Sequence, residues 1–216
     1  MADTKTEEST TPAPPAEEER KHGFLSFLGE LPGLILTALV LALLIKTFLF
    51  QAFFIPSGSM EPTLVPGDRV LVNKIPYYFH DPERGDVIVF QDPNPSRDPD
   101  RGIVEGFLHW LTEGLGFSPP DHEDFIKRVI GTPGDIVEGH KGKVLVNGDP
   151  IEEPYLEQRT GNFDPFTVPP GKLFVMGDNR KASNDSRFGL GFIPIDRVIG
   201  KAFVIIWPPS DFDGLG

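Results

Sequence analysis

Residues 31–50 read LPGLILTALVLALLIKTFLF. At helical rise, these twenty residues span roughly 30 Å, the hydrocarbon thickness of a bilayer. A membrane helix is therefore predicted over 24–50, with its span at about 31–50. Lys46, near the C-terminal end, can snorkel to the interface. A cleaved secretory signal fits less well, because the run starts late, follows an acidic tail and exceeds the usual apolar core. Residues 1–19 hold six acidic residues and one lysine, with no aromatic residue. Such a segment cannot bury enough apolar surface to offset chain entropy, so residues 1–23 are predicted to be a disordered tail. Arg20 and Lys21 precede the span, and no Lys or Arg occurs from Gln51 to Asp68. The positive-inside rule then predicts a single-pass protein of the cytoplasmic membrane. Its N-terminus lies in the cytoplasm and residues 51–216 lie outside.

The rest of the chain is built differently. Its 23 glycines and 23 prolines, about a fifth of the whole sequence, argue against a helical bundle. The apolar runs after the span are short: VLV at 70–72, VIVF at 87–90, VLV at 144–146, LFV at 173–175 and AFVII at 202–206. Turn residues such as Pro66-Gly67-Asp68 and Asn147-Gly148-Asp149 bound them. Short β-branched runs between turn signals read as strands of a sandwich or barrel-like sheet. Asn147-Gly148 suits a tight hairpin, since both residues tolerate positive φ. Residues 91–124 interrupt this pattern as an insertion, with a Pro/Asp/Arg-rich loop from Asp92 to Gly102. Ile103, Val104, Phe107, Leu108, Leu111 and Leu115 then recur at helical spacing. They mark a helix over 103–117, lying either on the membrane or against the domain.

Composition narrows the chemistry. The chain has no cysteine, which excludes disulfide scaffolds, thiolate metal sites and Cys nucleophiles. A net charge of −12 makes nucleic acid an unsuitable partner. None of the five histidines sits in a HExxH-like pattern, so no metal is predicted, and there is no G-x-S-x-G elbow. Three segments remain. Ile55 to Leu64 reads IPSGSMEPTL, where a glycine between two serines lets the backbone turn and expose a hydroxyl. By itself it reads equally as an ordinary turn. Asp124 to Asp135 reads DFIKRVIGTPGD. If 125–130 is a strand, Phe125, Lys127 and Val129 share one face and Arg128 points the other way, toward a carboxylate. A buried Lys127 would lose its proton readily and could replace histidine as a base. On the surface it would be a snorkelling lysine. Met176 to Arg187 reads MGDNRKASNDSR, which is either a plain polar turn or a buried hydrogen-bonding network.

Together, in this order, these segments closely resemble type I signal peptidases, which are membrane-anchored Ser/Lys endopeptidases. The resemblance rests on the preceding span, SGSMEPTL at 57–64, RGDVIVF at 84–90, KRVIGTPGD at 127–135 and GDNRKASNDSR at 177–187. It implies a mainly β fold: a complex, barrel-like antiparallel β-sheet catalytic domain at 51–216, preceded by one N-terminal transmembrane helix. It also implies that Ser59 is the nucleophile and Lys127 the general base, and that the Ser57 hydroxyl and Ser59 N–H form the oxyanion hole. Ser183 matches a serine that orients the lysine. Asp185 and Arg187 match residues that support the site, as do Asp178, Asn179 and Arg180. Phe53, Ile55, Met60, Leu64 and Ile126 are the candidate walls of shallow substrate pockets.

The activity implied is cleavage of signal peptides from exported preproteins after a small-x-small motif, through an acyl-enzyme. The implied partners are preprotein signal peptides and the lipid bilayer, with no nucleic acid, no cofactor and a monomeric enzyme. A DNA-damage-response repressor would share the Ser/Lys chemistry but not the span. A membrane-tethered binding module would need neither Ser59 nor Lys127. Only about 40 residues separate Asp135 from Gly177, so any second domain is expected to be reduced to a β-ribbon. The run Phe188 to Phe192 is shifted from the family's usual spacing.

Overall fold

The computed structural model describes residues 18–93, 124–212 and 214–215. The acidic segment 1–17 and the helix expected at 103–117 lie outside the described residues. The chain divides into two units, one running to Ala42 and the other from Leu43 onward.

The first unit is dominated by α1, Glu18–Phe48, which runs on into the second. It begins upstream of the expected 24, because Glu, Arg and Lys are strong helix formers and extend the helix into residues expected in the tail. Leu31–Phe48 has a mean hydropathy of 2.2, and none of it is buried. A helix apolar on all faces is suited to lipid rather than water. α1 stops two residues before the expected 50. Lys74 Nζ donates to the carbonyls of Lys46 (3.3 Å) and Thr47 (3.2 Å), and Tyr78 OH donates to that of Phe48 (3.1 Å). These donors satisfy the carbonyls that a helix end leaves open.

Among the described residues, the second unit holds eleven strands. They are β1 (Phe50–Phe54), β2 (Arg69–Asn73), β3 (Val87–Gln91), β4 (Asp124–Gly131), β5 (Ile136–His140), β6 (Lys143–Val146), β7 (Asp149–Pro150), β8 (Phe163–Thr167), β9 (Lys172–Met176), β10 (Ile193–Pro194) and β11 (Val198–Trp207). The larger sheet has the order β1-β2-β11-β3-β4-β9-β10, and the smaller has β7-β6-β5-β8. All pairings are antiparallel. The architecture is therefore mainly β, with an apolar N-terminal helix, as the sequence predicts. All five apolar runs fall in strands, namely β2, β3, β6, β9 and β11. Asn147 (φ 57°) and Gly148 (φ 90°) make the predicted tight turn between β6 and β7. The segment after Asp135 is more than a ribbon, because β5 pairs with β6 on one side and β8 on the other.

The VIVF run of β3 is continuous because both faces of the strand are covered. Val87 and Val89 join a core with Ile55, Met60, Leu64, Val70 and Ile126. Ile88 and Phe90 join a second core with Val129, Leu173 and Val175. A third core lies under the small sheet, where Val137, Val144 and Val146 meet Ile130 and Met176 from the larger one. β4 thus feeds all three cores through Ile126, Val129 and Ile130, which fixes its central residues, Lys127 and Arg128, against the packed interior.

Candidate active site

Ser57 has extended backbone angles (φ −135°, ψ 153°) and leads into a single 3-10 turn, Gly58–Met60. Met60 and Leu64 are fully buried in the first core and anchor the turn from beneath. Asn179 holds it from the other side. Its backbone N–H donates to Ser59 O (3.1 Å), and its Nδ2 donates to Gly58 O (3.0 Å). Ser59 is only 9% exposed, whereas Ser57 is exposed, with its hydroxyl capping nothing in the turn. The Ser59 N–H lies in the first turn, where a backbone donor has no intrahelical acceptor.

Lys127, 68 residues away in sequence, is 3% exposed. Its Nζ donates to Ser59 Oγ at 2.7 Å and to Ile126 O at 2.9 Å. Burial pushes the Lys127 ammonium down from 10.5 to about 8, against the opposing pull of Asp185 and Asp178. Desolvation penalises the charged form, so the amine reaches neutrality far more readily than it would in water. With the amine neutral, the same 2.7 Å contact can carry the Ser59 proton to Nζ.

The Met176–Arg187 segment is the buried network alternative rather than a plain turn. Arg187 clasps Asp185 bidentately (Nε–Oδ1 2.8 Å, Nη2–Oδ2 2.7 Å), and Gly177 N–H donates to Asp185 Oδ2 (3.1 Å). Arg187 Nη2 also donates to Arg180 O (2.9 Å). Arg180 in turn holds Gly177 O, Thr160 and Glu153. Asp178 accepts two bonds from Arg128 (3.0 and 2.7 Å) and one from Thr63 Oγ1 (2.6 Å). Arg128 therefore meets the carboxylate that strand alternation demands, and its guanidinium stacks 3.8 Å over the Tyr155 ring.

Ser183 is buried, and its Oγ has no hydrogen-bond partner, so it does not touch Lys127 in this state. It lies close to the site all the same. A Cβ on Gly177 would sit 2.3 Å from both Ser183 Oγ and Ser59 O, so only glycine fits there. Among the five pocket candidates, Ile55, Met60, Leu64 and Ile126 belong to one core, with Phe53 partly buried against it. Met60 and Leu64 present no surface and can only support a pocket from behind. Ile55 is almost as buried, at 2% exposure, so Phe53 and the edge of Ile126 are the candidates that keep accessible surface.

Several site residues carried little or no signal in the sequence. Thr63 lies inside SGSMEPTL, but nothing in its spacing points to Asp178. Glu153, Tyr155 and Thr160 lie in a stretch without any motif. Among the described residues, no group of three His, Asp or Glu side chains is placed to hold a metal.

The sequence matches the family described as "Signal peptidase, peptidase S26" over residues 28–207. It is 40% identical over 219 aligned positions to the signal peptidase I of Mycobacterium tuberculosis (strain ATCC 25618 / H37Rv), covering 86% of this chain and 74% of that protein. It is 42% identical over 191 positions to a probable signal peptidase I-1 of Synechocystis sp. (strain PCC 6803), covering 88% of each. A solved signal peptidase I from Enterococcus faecalis V583 is 28% identical and covers 56% of this chain and 97% of its own, with a TM-score of 0.41.

Proposed function

The chain belongs to the signal peptidases of peptidase family S26, and from that premise we propose that it cleaves signal peptides from exported preproteins with a Ser59/Lys127 dyad. One observation carries this reading: a lysine amine, buried and titrating near 8, lies 2.7 Å from a serine hydroxyl. Neutral Lys127 takes the Ser59 proton as Oγ attacks the scissile carbonyl carbon. The carbonyl π electrons move onto oxygen, where the Ser59 N–H and the Ser57 hydroxyl stabilise them. The C–N bond then breaks, and protonated Lys127 returns its proton to the leaving amine. Water, deprotonated by the same amine, hydrolyses the Ser59 ester and restores both groups.

Ser183 Oγ, unpartnered at rest, is available to hold Nζ once Ser59 Oγ is acylated. The supporting role proposed for Asp185 and Arg187 follows from their bidentate pair and from the Asp185 bond to Gly177 N–H. The substrate docks as an extended strand with small residues at the two specificity positions, beside Phe53 and Ile126. α1 anchors the enzyme in the cytoplasmic membrane as a monomer, N-terminus inside and the β-rich unit outside. Holding enzyme and preprotein in one bilayer raises their effective concentration.

Cleavage of a preprotein bearing an Ala-x-Ala site, in detergent, tests this reading. Wild type cuts it, while Ser59→Ala and Lys127→Ala lose nearly all activity. Full activity in Lys127→Ala refutes the dyad. An uncut Ala-x-Ala preprotein refutes the substrate assignment.

A further inference from the structure

We propose that Asn179 is a positioning residue that aims the Ser59 N–H at the developing oxyanion; this rests on the Ser59/Lys127 reading above. A trans peptide unit is planar, so its C=O and N–H point in opposite directions. Fixing the Gly58 carbonyl therefore fixes the direction of the Ser59 N–H. Asn179 Nδ2 donates to that carbonyl at 3.0 Å, while the only other bond on it in the turn, from Glu61 N–H, is longer at 3.2 Å. The next peptide plane is held by the same residue, since the Asn179 backbone N–H donates to Ser59 O at 3.1 Å. Two successive planes held on either side of the Ser59 Cα leave φ and ψ of the nucleophile no freedom.

The sequence explains why such a hold is needed. Gly58 has no Cβ, so the peptide plane that follows it turns with little steric resistance. The Asn179 amide is itself oriented. Its Nδ2 also approaches Glu61 Oε2 (3.4 Å), and two acceptors on one side require the nitrogen end to face them. A side chain at Gly58 is not an alternative way to stiffen the loop, because a Cβ there would lie 2.6 Å from Glu61 Oε1.

The Asn179 side chain can be removed without breaking the fold. It is only partly buried and borders a small polar cavity of about 60 Å³ shared with Glu61, Pro62, Glu157, Gln158 and Asp178. The backbone bond to Ser59 O survives truncation. The freed Gly58 carbonyl still accepts from the Glu61 N–H (3.2 Å), so little stability is at stake.

The test uses the full-length chain in detergent and compares wild type with Asn179→Ala and Asn179→Asp. Losing an oxyanion donor outright costs roughly 10²–10³-fold in kcat. A misaimed donor is expected to cost about 10- to 100-fold, with KM within about twofold. A peptide aldehyde, which Ser59 Oγ attacks to give a hemiacetal oxyanion, should lose affinity by the same factor. The matching reduced-amide peptide, which has no carbonyl at that position, should bind unchanged. The pH–rate inflection should stay at about 8, since Asn179 does not touch Lys127.

An unchanged kcat overturns the proposal. Equal weakening of the aldehyde and the reduced amide also overturns it, because that reports general disruption of the site. An inflection displaced toward 10 overturns it too, because it places the effect on Lys127. Ser59→Ala, run alongside, separates the two readings. If it retains activity, the dyad itself fails; if it is dead while Asn179→Ala is unimpaired, only the role of Asn179 fails.

Discussion

Raising the pH from 6 to 10 titrates one member of the proposed dyad, the Lys127 amine. With its ammonium titrating at about 8, roughly 9% of molecules carry the neutral base at pH 7 and about 1% at pH 6. An ordinary lysine at 10.5 would be neutral in only about 0.03% at pH 7. Burial in the middle of β4 therefore raises the neutral fraction about 300-fold at neutral pH, equivalent to about 3 kcal/mol. The assay is kcat/KM for a fluorogenic signal-sequence peptide in detergent, with Lys127→Arg as a permanently charged control. The rate should rise about tenfold per pH unit below 8 and level off above it, with Lys127→Arg inactive throughout. A flat profile from pH 6 to 8, or a rise that continues to pH 10.5, refutes the reasoning. The same depressed pKa has a stability consequence of defined sign. Below about 8 the folded chain must keep an ammonium in a dry site, so the penalty is fully present there. It is relieved as pH rises from about 8 toward 10.5, because the unfolded chain then binds more protons than the folded one.

Three further outcomes are expected. Gly177→Ala should reduce turnover at least about 100-fold, because its Cβ would lie 2.3 Å from Ser59 O; Ser183→Ala should not rescue it, since that backbone clash persists, and single-turnover cleavage checks both. Asp178→Ala strands the buried Arg128 guanidinium and should cost about 3–5 kcal/mol, read as a fall of about 10 °C in thermal unfolding, with Arg128→Met in the same chain recovering much of the loss. Lysines at Leu36, Val40 and Leu44 together should release the protein from membranes in a flotation assay, since each costs about 2.5–3.5 kcal/mol at the centre of a span.

Much of the local structure was legible because neighbours in sequence carry it. The apolar span needs only length and hydropathy, and the β2, β3, β6, β9 and β11 runs need only β-branched residues between turns. Other strands were not legible. FQAFF at 50–54 carries no turn-bounded β-branched run, yet it pairs with β2 from Phe50↔Asn73 to Phe54↔Arg69. FDPFT at 163–167 contains proline and aspartate, which argue against a strand, yet as an outer strand of the small sheet it joins β5 through Ile136↔Thr167 and Val137↔Phe166. Met60 and Leu64 are candidate pocket walls under the family resemblance. Packing makes them the floor of the core, a distinction that hydropathy does not contain.

The sequence by itself determined the apolar helix and the mainly β class, and through four motifs in a fixed order it pointed to Ser59 and Lys127 as the candidate pair. It left open whether Lys127 is exposed or buried, because strand alternation assigns a face but not what covers it. Tertiary structure decided that. β4 pairs between β3 and β9, the Ser59 turn is held between Met60 and Asn179, and the two groups meet 2.7 Å apart in a dry setting. The physical reason is that a pKa is set by solvation and by charges that are near in space. The residues that remove water from Lys127 and steady the network around it, from Ile126 to Asp178 and Tyr155, are scattered along the chain and gather only on folding.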